Sequence, residues 1–234
     1  MAARLIDDVK YIVFDLDDTL YPELDYCKSG FMAISEKVSY LHGLKKELVF
    51  GCLWNLFSNG DKRKVFNGMF EEFNIKYNQD DIVSLVKIYR NHFPDINLPE
   101  ESLFVLNKLK GACKLGLLTD GYMPAQELKV KSLGIENYFD RIVYTELLGR
   151  ENWKPSSAGF EIIMEEDDFL PSEYIYIADN PLKDFSGPSK LGWRSVWLKR
   201  QAGIYHNEIP ENSQPAEFEI KKLKDLLDIR NNGN

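Results

Sequence analysis

The chain has 234 residues, 44% hydrophobic and 28% charged, which is typical of a globular protein with one large domain or a core carrying an inserted subdomain. The formal net charge of −8 makes nucleic acid an unexpected partner, because phosphate backbones are bound by clustered lysines and arginines. The chain lacks a signal-like apolar run, a membrane-length apolar segment and metal-type cysteine spacing, so we expect a cytoplasmic protein without a membrane partner.

The first element is an apolar run over residues 9–14 that ends in the acidic stretch Asp15-Leu16-Asp17-Asp18-Thr19. Such a run predicts a strand buried on both faces, as in a parallel sheet. Because alternate residues of a strand share a face, we expect Asp15 and Asp17 to project together. Two carboxylates about 4 Å apart repel by roughly 4 kcal/mol at an effective dielectric near 20. The pair therefore implies a cation, a shared proton or a reaction that uses both states, unless it is only an acidic turn.

Residues 21–97 carry helical patterns and no convincing strand. Apolar residues recur at helical spacing over 44–57 and 65–73, and further helices are predicted over 24–42 and from Asp80 or Asp81 onwards. Four helices without a strand predict a small helical bundle.

Helices and strands alternate from Pro99 onwards, where Pro99 itself opens a helix. Strands are predicted over residues 115–118, 142–144, 174–178 and 195–198, and the helices between them include one from Pro124 and one over 156–166. Phe218 to Leu227 predicts a short edge element and a final helix, after a loop marked by Pro210, Asn212, Ser213 and Pro215. This alternation predicts an α/β fold with a parallel sheet.

Polar residues follow the second and third of these strands. Thr119-Asp120-Gly121 precedes the helix from Pro124. A small hydroxyl with backbone amides beside a helix N-terminus makes an anion site. Taken alone, however, the Thr-Asp-Gly sequence is typical of an ordinary turn. Lys154 is held extended by the proline that follows it, so its ammonium can reach over the end of the sheet. A lone lysine is otherwise a solvated surface residue.

Two acids follow the next strand. Asp179 comes directly after it, and Asp184 lies five residues further, where we expect the first turn of a helix. Hard oxygen ligands of this kind suit Mg²⁺.

In order and spacing, these motifs resemble those of the haloacid dehalogenase (HAD) superfamily of phosphohydrolases. The resemblance extends over residues 15–20, 117–121, 154–160 and 174–184. It implies a Rossmann-like α/β core, formed by residues 1–20 and 98–234, with an inserted helical cap of the C1 type over residues 21–97.

The resemblance also implies roles for individual residues. It implies that Asp15 is the nucleophile and Asp17 the general acid/base. It implies phosphate binding by Thr119, Asp120, Gly121 and Lys154. It implies a Mg²⁺ site formed by Asp15, the backbone carbonyl of Asp17, Asp179 and the supporting acid Asp184.

These roles lead us to expect a Mg²⁺-dependent phosphatase that hydrolyses a small phosphorylated metabolite through an aspartyl-phosphate. Haloacid dehalogenases proper lack an acid at position 17, so Asp17 favours phosphoryl transfer. Asp120 departs from the Asn or Ser common at its position, and its charge is costly beside a phosphate unless it points away. The alternatives are a phosphomutase of the same fold, a phospho-accepting receiver-like module, and a non-catalytic phosphate-binding scaffold.

Overall fold

The computed structural model describes residues 5–165, 167–200 and 214–230. Its strands are β1 (Tyr11–Phe14), β2 (Lys114–Thr119), β3 (Arg141–Tyr144), β4 (Tyr174–Ala178), β5 (Arg194–Leu198) and β6 (Phe218–Ile220). They form one sheet in the order β3-β2-β1-β4-β5-β6, in which every neighbouring pair is parallel. This order is that of a doubly wound fold, whose chain reverses its winding between β1 and β4. The predicted Rossmann-like α/β core is therefore confirmed.

The helices are α1 (Glu23–His42), α2 (Lys46–Asn59), α3 (Val65–Glu72), α4 (Gln79–Asn91), α5 (Glu100–Leu109), α6 (Ala125–Leu133), α7 (Ala158–Met164) and α8 (Ser186–Lys190). The first four lie between β1 and β2 in sequence, as the helical block predicts. Among the described residues, none of the helices has the length and apolar content needed to cross a lipid bilayer.

Strand β1 is an inner strand of the sheet, with β2 on one side and β4 on the other. All four of its residues are buried, which explains its uninterrupted apolar sequence. Phe14, its last residue, pairs with Leu117 of β2 on one side and Ile177 of β4 on the other. The residues that follow β1 therefore emerge between the carboxyl ends of β2 and β4, which is where open α/β sheets place their ligands.

The chain divides into two compact units. The first contains the described residues of the ranges 1–22, 97–126 and 133–234, and the second contains residues 23–96 and 127–132. The short segment 127–132 of α6 belongs to this second unit, and the hydroxyl of Ser132 donates a hydrogen bond to the carbonyl of Pro94 within it.

The helical unit has its own apolar interior, formed by one face of each helix. Its buried residues include Phe31, Ile34, Val38, Val49, Leu53, Met69, Phe70 and Leu85. Helix α4 begins at Gln79, slightly earlier than the sequence pattern indicates, because Asn78 caps it in a reciprocal pair with Asp81.

The C-terminal region matches its prediction in part. The edge element is strand β6, and the final helix is a 3₁₀ helix over Leu223–Asp228. Of the predicted loop, Pro210, Asn212 and Ser213 lie outside the described residues.

Candidate active site

The candidate active site lies at the carboxyl edge of the parallel sheet, in the first unit. Asp15 follows β1, Thr119 ends β2 and Asp179 follows β4. Lys154 reaches the same edge from the irregular segment between β3 and α7. Residues that are far apart in the chain are therefore brought together because parallel strands end on one side of the sheet.

Lys154 lies at the centre of this group, with a side chain that is only 1% exposed. Its Nζ donates hydrogen bonds to Oδ1 of Asp15 at 2.7 Å and to the hydroxyl of Tyr176 at 2.9 Å. It also forms an ion pair with Oδ1 of Asp184 at 2.7 Å. Burial alone would lower the pKa of Lys154, but the carboxylates of Asp15 and Asp184 hold that pKa well above its ordinary value.

Three buried carboxylates form a group that could hold a metal ion. One oxygen from each of Asp15, Asp179 and Asp184 lies within 4.8 Å of the others. Burial, with the charges of Asp15 and Asp184, raises the pKa of Asp179 to about 9. Burial likewise raises the pKa of Asp15 to about 6, against the opposing charge of Lys154.

The same group fits a divalent cation chemically. Oδ2 of Asp179 is buried and has no hydrogen-bond partner, which is a costly state for a carboxylate oxygen. A hard cation would satisfy that oxygen and offset the repulsion within the group, and carboxylate oxygens are the ligands that Mg²⁺ prefers.

The turn after β4 holds two of these acids in place. The indole N–H of Trp197 on β5 donates to the backbone carbonyl of Asp179 at 2.8 Å. Oδ2 of Asp184 accepts a hydrogen bond from the backbone N–H of Asn180 at 3.0 Å. The expectation that Asp184 lies in the first turn of a helix is wrong, because α8 begins only at Ser186. The side chain of Asp184 closes the turn after β4 instead.

Asp17 does not share this group of carboxylates. Its Oδ1 accepts a hydrogen bond from the hydroxyl of Tyr21 at 2.5 Å, and its Oδ2 accepts one from Nε2 of Gln126 at 2.9 Å. Asp15 and Asp17 therefore make different contacts: Asp15 accepts a hydrogen bond from Lys154, whereas Asp17 accepts hydrogen bonds from Tyr21 and Gln126.

The Thr119-Asp120-Gly121 turn lies beside Asp17. The hydroxyl of Thr119 is buried and accepts a hydrogen bond from Nε2 of Gln126 at 2.7 Å. Gly121 has φ +143°, in the region that favours glycine. The turn thus combines a small hydroxyl with a backbone conformation that a side chain would strain.

The unexpected acid of this turn, Asp120, points towards lysines. Its Oδ1 accepts hydrogen bonds from the hydroxyl of Thr145 at 2.8 Å and the backbone N–H of Lys154 at 3.2 Å, and its Oδ2 lies 2.9 Å from Nζ of Lys183. Burial would raise the pKa of Asp120, but the charges of Lys154 and Lys183 hold that pKa below its ordinary value. The extra negative charge is therefore balanced within the protein.

Several contacts of the site were not predicted. They involve Tyr21, Gln126, Thr145, Tyr176 and Lys183. Tyr176 could have been noticed, because a tyrosine inside a buried strand needs a partner for its hydroxyl. Lys183 lies between Asp179 and Asp184 in the sequence, so its position also indicated a place near the site. Gln126 gave no signal beyond its place at the start of a helix.

Comparison with known proteins agrees with this architecture. The family described as haloacid dehalogenase-like hydrolase matches residues 12–198. Pyrimidine 5'-nucleotidase YjjG of Escherichia coli strain K12 is 25% identical over 92% of this chain and 95% of its own. Glyceraldehyde 3-phosphate phosphatase of Methanocaldococcus jannaschii is 26% identical over 96% of this chain and 98% of its own.

The fold has a counterpart among solved structures. The magnesium-bound HAD-hydrolase YfnB from Bacillus subtilis has a TM-score of 0.65 and 19% identity, covering 93% of this chain and 96% of that chain. The matched residues include most of β1, strands β2 to β5, the helical insert and every strand end that forms the candidate site. This chain therefore belongs to the haloacid dehalogenase-like hydrolases.

Proposed function

We propose that this protein is a Mg²⁺-dependent phosphatase that acts on a small phosphorylated metabolite through an aspartyl-phosphate on Asp15. The observation that carries the proposal is the buried contact of Asp15 with Lys154, beside a group of acids in which an oxygen of Asp179 has no partner. The two curated relatives, a 5'-nucleotidase and a phosphatase by name, support this reaction class.

In the first step, a carboxylate oxygen of Asp15 attacks phosphorus in line, and the bond from phosphorus to the ester oxygen breaks. Asp17 gives its proton to the departing alkoxide. In the second step, water attacks the aspartyl-phosphate while the carboxylate of Asp17 takes the proton of that water. Inorganic phosphate leaves and Asp15 is regenerated.

Lys154 and Thr119 hold the non-bridging phosphoryl oxygens, together with backbone amides near Asp120 and Gly121. Nζ of Lys154 has three N–H groups and lies within hydrogen-bond distance of Asp15, Tyr176 and Asp184, so a phosphoryl oxygen would take the place of one of these acceptors. Bound by the acids around Asp15 and by the backbone carbonyl of Asp17, Mg²⁺ would neutralise charge between the carboxylate and the phosphoryl dianion.

The helical insert over residues 21–97 is proposed to be the cap that selects the leaving group and excludes water. The substrate class is a nucleotide, a sugar phosphate or a similar small metabolite. We also propose that the enzyme is cytoplasmic and has no nucleic-acid or membrane partner. The acidic composition is the reason for excluding nucleic acid.

The test is release of inorganic phosphate from p-nitrophenyl phosphate and from a panel of phosphorylated metabolites, with Mg²⁺ or with EDTA. We expect turnover only with Mg²⁺, and none in Asp15→Asn. Asp168→Asn is the matched control, because Asp168 is exposed. Mg²⁺-dependent turnover that persists in Asp15→Asn would refute the assignment. Phosphate transfer between positions of one substrate, with little free phosphate, would identify a mutase instead.

A further inference from the structure

Gln126 is a buried polar residue that the mechanism above does not use. It is the second residue of α6 and is only 2% exposed. Its Nε2 lies 2.7 Å from Oγ1 of Thr119, 2.7 Å from the carbonyl oxygen of Asp120 and 2.9 Å from Oδ2 of Asp17. The carbonyl and an ionised carboxylate only accept hydrogen bonds, so the atom between them must be the amide nitrogen.

Gly121 is matched to this glutamine. A Cβ atom at Gly121 would lie 2.7 Å from Cδ of Gln126 and 2.9 Å from both Cγ and Nε2. Non-bonded carbon atoms do not approach one another this closely. Gln126 can therefore lie across this turn only because residue 121 has no side chain. The backbone after β2 therefore leaves space for the side chain of Gln126 to pack against Gly121.

We propose that Gln126 is a positioning residue that orients the carboxyl group of Asp17 for proton transfer and ties it to the phosphate-holding turn. The inference deepens the proposed function and rests on it. Nε2 carries two hydrogens and lies near three acceptors, which belong to Asp17, Thr119 and Asp120. It binds Asp17 and the turn at once because two of these acceptors share one hydrogen.

The orientation has a chemical consequence for the acid step. An amide nitrogen cannot accept a proton, so a protonated Asp17 that keeps its bond to Gln126 carries its proton on Oδ1. The hydroxyl of Tyr21 is the neighbour of that oxygen and can accept as well as donate. The proton then passes from Oδ1 to the ester oxygen as the phosphorus–oxygen bond breaks, and Asp17 is left as a carboxylate.

The test compares two leaving groups. p-Nitrophenolate departs without a proton, whereas an alkoxide needs one, so loss of a well-oriented acid slows alkyl phosphates more than p-nitrophenyl phosphate. In Gln126→Met, which keeps side-chain length but removes the donor, we expect kcat/KM to fall about 10- to 100-fold for an alkyl phosphate and less than about 3-fold for p-nitrophenyl phosphate. Gln79→Met is the matched control, because Gln79 is exposed at the start of α4.

A second variant protects the test against misfolding. Gln126→Asn keeps the amide but retracts it by one methylene, and we expect the same selective loss for the alkyl phosphate. Equal falls for both substrates in a folded variant would mean a merely structural role and would overturn the inference alone. A wild-type protein that hydrolyses neither substrate would overturn the proposed function as well.

Discussion

The carboxylate of Asp120 accepts a hydrogen bond from the backbone N–H of Lys154, 34 residues further along the chain. Through its other contacts, with Thr145 and Lys183, this side chain joins the segments that follow β2, β3 and β4. An acid that departs from the usual motif therefore has a structural explanation: it fixes the backbone that presents Lys154 to Asp15.

We expect Asp120→Ala to lower the free energy of unfolding by about 3 kcal/mol, because a buried N–H, a hydroxyl and an ammonium lose their acceptor together. Asp120→Asn keeps an oxygen for Thr145 and Lys154, and should lose less than about 1 kcal/mol, because Lys183 is partly exposed. Urea denaturation measures both. Asp168→Ala, at an exposed position, is the control. Equal losses in Asp120→Asn and Asp120→Ala would contradict the importance of these hydrogen bonds.

Lys154→Met should abolish turnover and destabilise the protein in EDTA by about 3 kcal/mol near neutral pH, because the acids around it lose their cation. Added Mg²⁺ should restore part of that stability without restoring activity. Thermal unfolding with and without Mg²⁺, beside phosphate release, measures the two effects. The control is Lys190→Met, since Lys190 is exposed on α8. Retention of wild-type turnover in Lys154→Met would refute its role.

Mg²⁺ should raise the unfolding temperature of the wild-type protein, because it binds the folded state selectively. Asp179→Asn should remove most of this increase, since it replaces the carboxylate that has a buried, unpartnered oxygen. In EDTA near neutral pH the same variant should be about as stable as the wild type, because the pKa of Asp179 is raised to about 9 and its carboxyl group is already protonated there. An undiminished response of Asp179→Asn to Mg²⁺ would place the metal elsewhere.

Stability in EDTA should fall as the pH rises from about 5 to about 9. The pKa of Asp15 is raised from 3.8 to about 6 and that of Asp179 from 3.8 to about 9, so the folded state binds more protons than the unfolded state in this interval. Each excess proton contributes a slope of at most about 1.4 kcal/mol per pH unit. Asp179→Asn should flatten the dependence measured by urea denaturation. An unchanged slope in that variant would contradict the raised pKa of Asp179.

The strand ends could be predicted from sequence because one rule governs them. Apolar runs in a parallel sheet end at a common edge, so Asp15, Thr119 and Asp179 could be placed together before any coordinates were known. The helices of the insert could also be predicted from the sequence, because their apolar residues recur with the period of a helix.

The contacts around those residues could not be predicted, because they depend on side-chain directions at long sequence separation. Gln126 and Asp17 are 109 residues apart, and no local pattern marks a glutamine as the donor to a carboxylate. The carboxylate of Asp120 could have faced the phosphate position or the lysines, and only the packing of three loops decides this. The prediction that a helix begins near Asp184 was wrong for a similar reason. The carboxylate of Asp184 accepts a hydrogen bond from the backbone N–H of Asn180, and this contact cannot be read from the sequence.

Strand β1 is paired on both edges and buried on both faces, and the backbone N–H of Asp15 continues its pairing with the carbonyl of Ile177 at 2.9 Å. Amide protons of such an inner strand exchange with solvent only through opening events that approach global unfolding. Asp15 is thus anchored to the most persistent part of the sheet, and its placement should outlast local fraying elsewhere in the molecule. Loss of the reactive carboxylate's position and loss of the native sheet should be a single cooperative event.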